Sequence, residues 1–142
     1  MTADGWAAGD VVGERELTVD EIDLFLFSAA CWLPHRIHYD RRYAQSEGLN
    51  DIAIHGPLQA SWLSQLAAAW VRAHSGTLHH VTIRHVNLAY PTEQLRCVVT
   101  IEAVEQGAAG VNVSLAMRVE KSGGVPSTLG SAIAVIPIRA GA

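Results

Sequence analysis

Cysteine is scarce in this chain of 142 residues. Cys31 and Cys97 stand alone, in no CxxC spacing, which argues against a disulfide framework and for a reducing, cytoplasmic setting. Charged residues make up only 17%, and the ten lysines and arginines form no run, so nucleic acid and an anionic membrane are poor partners. No apolar stretch approaches a membrane span. The opening "MTADGWAAGDVVGE" carries Asp4, Asp10 and Glu14 and lacks the basic-then-apolar order of a signal peptide. A GxSxG elbow and a phosphate loop are absent as well, and "GGVPS" lacks the glycines and the Lys-Ser/Thr that such a loop needs.

What the chain does have is apolar substance, 49% of its residues, enough for a single core in one domain spanning 1–142. Low charge with positive mean hydropathy suggests that a second subunit covers part of the surface. Residues 1–14, rich in Gly and Ala, are expected to be loosely ordered. "ELTVDEIDLFLFSAACW" then predicts a helix, with Thr18 as N-cap, Glu21 completing a capping box, and Ile22, Phe25, Leu26 and Ala29 at helical spacing. Pro34 ends it. Residues 34–55 show no sustained period and predict a structured loop with a helical turn at "DRRYAQSE". "GPLQASWLSQLAAAWVRAH" predicts a long buried helix, opened by Gly56-Pro57, with Leu58, Trp62, Leu66, Ala69 and Trp70 on one face. Trp62 and Trp70 are assigned to the core.

From residue 78 the period changes to two. "HHVTIRHVNLAY", "QLRCVVTIEAV", "GVNVSLAMRVEK" and "LGSAIAVIPIR" are rich in Val, Ile and Thr and are separated by turn-like segments. They predict four antiparallel strands in a meander. One buried helix wrapped by such a sheet is an α+β arrangement.

Chemistry concentrates in "HRIHYD" and "HGPL". His35, His38 and Asp40 do not have the HExxH spacing of a helical zinc site, and Pro34 interrupts any shared face, so no metal is expected. A histidine near its solution pKa can take and return a proton, which suits reversible addition of water to a double bond. Gly56, at the first turn of a buried helix, offers a backbone N–H and the positive end of the helix dipole to a carbonyl oxygen that gains charge. The plainer reading is that Gly-Pro simply starts a helix. His74, His79, His80 and His85 have no spacing that argues for function.

Together "HRIHYDRRYA" and "IHGPLQASWL" resemble the MaoC-like (R)-specific enoyl-thioester hydratases and dehydratases, in the branch with mitochondrial 3-hydroxyacyl-thioester dehydratase and mesaconyl-CoA hydratase. The resemblance implies a hotdog fold, a long central helix in a curved antiparallel sheet, assembled as a homodimer or as a heterodimer with a second hotdog subunit. It implies a trans-2-enoyl or 3-hydroxyacyl thioester of coenzyme A or acyl carrier protein as substrate, and no cofactor. Laid on this sequence, the family motif makes His38 the general acid/base, His35 an auxiliary catalytic group and the Gly56 N–H the oxyanion donor. It places a family serine on Ser64, counted as substrate-binding together with His55 and with Asp40, which could orient one of the histidine rings. Asp40 is weighed equally as a cap of the turn that follows. Arg36, Arg41, Arg42 and Arg84 are candidates for carrier phosphates, with a solvated role favoured for each.

One position departs from the family. Leu33 occupies the place of the catalytic aspartate and can neither orient a water nor accept its proton. Hydration therefore competes with two alternatives. Double-bond isomerisation needs one shuttling base and no aligned water. A non-catalytic role, binding acyl thioesters or completing a heterodimer, needs no base at all.

Overall fold

The computed structural model describes residues 5–138. Strand β1, Val11–Leu17, leads into helix α1, Glu21–Ala30, and a short 3-10 turn, Arg36–His38. Helices α2, Arg41–Ser46, and α3, Gly56–Ala73, follow. Strands β2, Thr77–His85, β3, Leu95–Gly107, β4, Gly110–Lys121, and β5, Val125–Ile136, complete the chain. All pairings are antiparallel, in the order β1-β3-β4-β5-β2. The α+β class is therefore as expected. Each strand pair carries a register shift, a device that bends strands around what they cover.

Alternation decides which face of the sheet meets α3. On β4, Val111, Val113, Leu115, Met117 and Val119 are buried at every second position, and Ala132, Ala134 and Ile136 do the same on β5. Against them α3 presents Gln59, Trp62, Leu63, Ala67 and Val71. That stripe is rotated from the expected one: Trp62 belongs to it, Leu58, Leu66 and Trp70 are half-buried at its margins, and Ala69 is exposed. The many alanines blur the period, so the side facing the sheet is not evident from hydrophobicity alone.

Three further expectations are corrected. Residues 11–14 are not loosely ordered but begin β1, paired with β3 (residues 1–4 lie outside the described residues). The signal was hidden because β1 is an edge strand with Glu14, Arg15 and Glu16 in sequence, and because Gly13 interrupts the pattern. Gly13 lets the strand lie against α3, since a Cβ there would stand 3.2 Å from the Leu66 Cβ. The cap of α1 is Asp20 rather than Thr18: its carboxylate accepts from the Ile22 and Asp23 N–H groups, and Asp23 accepts from the Asp20 N–H. The last four strands are not a simple meander, because β2 pairs with β5 at the far edge and only β3-β4-β5 run consecutively.

Helix α1 ends before Pro34. The Trp32 and Leu33 N–H groups donate to the carbonyls of Ala29 and Ser28, and Trp32 takes the left-handed conformation at φ 52°. Its periodic apolar face looks outward: Ile22, Phe25, Leu26 and Trp32 are exposed, while Leu24 and Ser28 are buried.

Candidate active site

The loop between α1 and α3 is folded back by a few specific bonds. The 3-10 turn brings His38 inward, and His35 caps that turn by accepting from the Ile37 N–H at 3.3 Å. The Ala53 N–H donates to the Ile37 carbonyl at 2.9 Å, and the Ala53 carbonyl lies 2.7 Å from Nδ1 of His38. A carbonyl can only accept, so neutral His38 carries its proton on Nδ1 and leaves the Nε2 lone pair free. Burial pushes the His38 pKa below its ordinary value, the Ala53 carbonyl partly opposes this, and His35 lowers it further. His38 is thus a tethered neutral base.

His55, the residue before α3, is fully buried. Its ring stacks on that of His38 with centroids 3.8 Å apart and planes inclined by 20°, and Phe27 meets it edge-on at 4.8 Å. Nε2 shares a hydrogen bond of 2.8 Å with Ser28 Oγ from α1, whereas Nδ1 has no partner. Burial, with the His38 charge adding, brings the His55 pKa down to about 4. His55 stays neutral near pH 7, so the stacked pair has only His38 with which to exchange a proton.

Gly56 follows as the first residue of α3. Its N–H has no hydrogen-bond acceptor among the described residues and is free to donate at the positive end of the helix. The ring of His85 also lies close to this position. A Cβ at this position would stand 2.6 Å from Nε2 of His85, at the end of β2.

The expected site residues fall into two groups. His35, His38, His55 and Gly56 come together, with the His35 and His38 ring centroids 6.3 Å apart. Asp40 instead caps α2 by accepting from the Tyr43 N–H at 3.0 Å, and its other oxygen lies 2.6 Å from Arg36. Those two contacts hold its carboxyl below the usual range. Ser64 is half-buried two turns along α3, about 12 Å from Gly56 by helical rise, and bonds to none of the histidines. Arg36 and Arg41 are occupied by Asp40 and by Glu21 and Asp51. Among the described residues no three His, Cys, Asp or Glu side chains form a metal-holding group. Leu33 is half-buried, and no carboxylate among the described residues bonds to His38.

Ser28 was missed from sequence, being one serine on a helix 27 residues from its partner. Two open apolar grooves flank α1. One of about 160 Å³ is lined by Phe25, Ser28, Trp32 and Tyr39, and one of about 430 Å³ by Leu26, Phe27, Leu58 and Trp62. Ser28 and Phe27 each also touch His55, so both grooves border the histidine stack.

Comparison with known proteins identifies the family and the fold. Residues 7–91 match the model of the family Htd2, hydroxyacyl-thioester dehydratase type 2. Mesaconyl-C(4)-CoA hydratase of Chloroflexus aurantiacus is 50% identical over 54 residues, 37% of this chain and 19% of that protein. Mitochondrial hydroxyacyl-thioester dehydratase type 2 of Saccharomyces cerevisiae is 27% identical over 82 residues, 57% of this chain and 28% of that protein. The matches thus span less than a third of either curated relative. Among solved structures, the (R)-hydratase from A. caviae involved in PHA biosynthesis superposes with a TM-score of 0.82 at 17% identity, covering 95% of this chain and all of that one. A chain of the ChsH1–ChsH2 complex from Mycobacterium tuberculosis gives 0.78 at 17% identity, covering 96% of this chain and 99% of that one. At those identities the two structures establish the hotdog fold.

Proposed function

The chain belongs to the hydroxyacyl-thioester dehydratase type 2 family, and on that premise we propose that it interconverts trans-2-enoyl and 3-hydroxyacyl thioesters of coenzyme A or an acyl carrier protein. The observation that carries this reading is the placement of His38. Its Nδ1–H is fixed on the Ala53 carbonyl and its ring is stacked on His55, immediately before the free N–H of Gly56. In dehydration, Nε2 of His38 takes the α-proton, and the electron pair passes toward the thioester oxygen, held by the Gly56 N–H. The enolate then expels the β-hydroxyl, which leaves as water with the proton from His38. Hydration is the reverse. Apolar grooves beside the stack suit an acyl chain, and two free cysteines suit a reducing compartment.

The test is hydration of crotonyl-CoA by the purified chain, with loss of turnover in His38→Ala. A second reading is favoured by Leu33 and by the exposed apolar face of α1: the chain is one subunit of a hotdog heterodimer whose partner supplies the carboxylate. Turnover by the chain alone would refute that reading. Turnover only after a second hotdog subunit is added would support it. An isomerase would instead shift a 3-enoyl double bond without adding water.

A further inference from the structure

His85 carries no motif, yet its surroundings are more constrained than those of a surface histidine at a strand end. It stands opposite Thr128 in the β2–β5 pairing, and its Nδ1 lies 2.9 Å from Thr128 Oγ1. Thr128 Oγ1 donates to Gln59 Oε1 at 2.9 Å, and Ser127 Oγ donates to the same oxygen at 2.6 Å. Gln59, Ser127 and Thr128 are all buried.

The order of donors follows from counting protons. Gln59 Oε1 can only accept, so the single hydroxyl proton of Thr128 is spent on it. Thr128 must then accept from His85, which places the His85 proton on Nδ1 and a lone pair on Nε2 in the neutral ring. That Nε2 is the atom lying against Gly56, and the ring itself is exposed to solvent. His38 thus stacks on His55, and His85 lies against the next residue, Gly56. Both His38 and His85 have a tethered Nδ1–H and a free Nε2.

We propose that Nε2 of His85 accepts a hydrogen bond from the reacting water and so orients it, the task that Leu33 cannot perform. This deepens the hydratase reading and rests on it. In hydration, one O–H of the water stays intact and points to His85 Nε2. The other O–H breaks, its proton going to His38 Nε2 as the oxygen bonds to the β-carbon. The double-bond electron pair moves toward the thioester oxygen, and His38 returns its proton to the α-carbon. Both imidazoles end neutral, and one water has been added. His85 is a catalytic residue in this scheme because it touches the reacting water.

The experiment separates water addition from α-proton transfer. The intact chain is given crotonyl-CoA for hydration and butyryl-CoA in D2O for α-hydrogen exchange, a reaction that needs His38 and Gly56 but no aligned water. His85→Ala is expected to lower kcat for hydration about 10²-fold, the contribution of one positioned polar group, while α-exchange continues. His85→Gln, which retains an acceptor, should restore part of the hydration rate. Thr128→Val should fall between wild type and His85→Ala. Equal loss of hydration and exchange in His85→Ala would make the residue structural and overturn the proposal, as would full retention of both. A wild-type chain that exchanges but never hydrates refutes the role of His85 while sparing His38. A wild-type chain that does neither refutes the underlying reading as well.

Discussion

At the C-terminal end of α3, His74 is the capping residue, and its Nδ1–H donates to the Trp70 carbonyl at 2.8 Å. Trp6 and Trp70 pack on its ring with centroids 5.0 and 4.9 Å away. Every ring contact there is satisfied inside the fold. At the N-terminal end His55 faces the reverse. It is fully buried where the dipole opposes positive charge, is stacked on another histidine, and has an unpartnered Nδ1. Leaving such a group unsatisfied costs about 1–3 kcal/mol. Two histidines on one helix therefore report different constraints. The packing at the C-terminal end is explained by stability. On the proposed function, that at the N-terminal end serves to hold His38 neutral and fixed beside a free N–H.

The widest gap between the ends is expected in catalysis. His38→Ala should reduce kcat for crotonyl-CoA hydration by about 10²–10⁴-fold, far more than the stability lost with its hydrogen bond and ring stack explains, whereas His74→Ala should leave kcat unaltered. Equal kcat losses at both ends would erase the distinction.

Stability against pH is the next contrast. The folded pKa of His55 is about 4 against an ordinary 6.5, so the unfolded chain takes up a proton first as pH falls. Stability is then complete above 6.5, declines as pH drops toward 4, and levels off below that, a loss of about 3 kcal/mol at most. Burial also lowers the His38 pKa, which adds in the same direction. Urea unfolding across that window should show the slope, and His55→Gln should flatten it. An unchanged slope would mean that His55 is not the group protonated on unfolding.

Gly56→Ala probes the N-terminal end sterically. The new methyl would meet the His85 ring at 2.6–2.9 Å, so this exposed ring must shift away from Gly56. Because an exposed ring can give way, the cost should stay below the roughly 1–3 kcal/mol of core overpacking, and hydration should fall by more than the stability loss explains. The combination Gly56→Ala with His85→Ala should regain the stability but not the rate.

How much of this was legible beforehand differs between fold and site for a physical reason. The period-two runs marked β2 to β5 as strands because alternation is a local consequence of one buried face. Their order was not legible, since alternation does not say that β2 crosses to pair with β5. Edge strand β1 was lost behind Gly13 and a run of charges. In the site, His38 and Gly56 were legible through motif resemblance. The orphaned nitrogen of His55, its link to Ser28 and the approach of His85 to Gly56 depend on contacts between distant segments, which no local pattern encodes.

The smallest expected effect lies at the C-terminal end. His74→Ala removes one hydrogen bond to a carbonyl, an edge contact with Trp6 and a tilted one with Trp70, and nothing in the histidine stack touches it. A net loss of about 0.5–1.5 kcal/mol is expected for the hydrogen bond, visible as a lower urea midpoint at unchanged slope. His74→Asn should recover part of it, because the side-chain amide can still donate toward the last turn of the helix. A large loss instead, with a changed urea slope, would mean that the Trp6–Trp70–His74 cluster closes the core at this end, and both ends of α3 would then be under a constraint stronger than local capping.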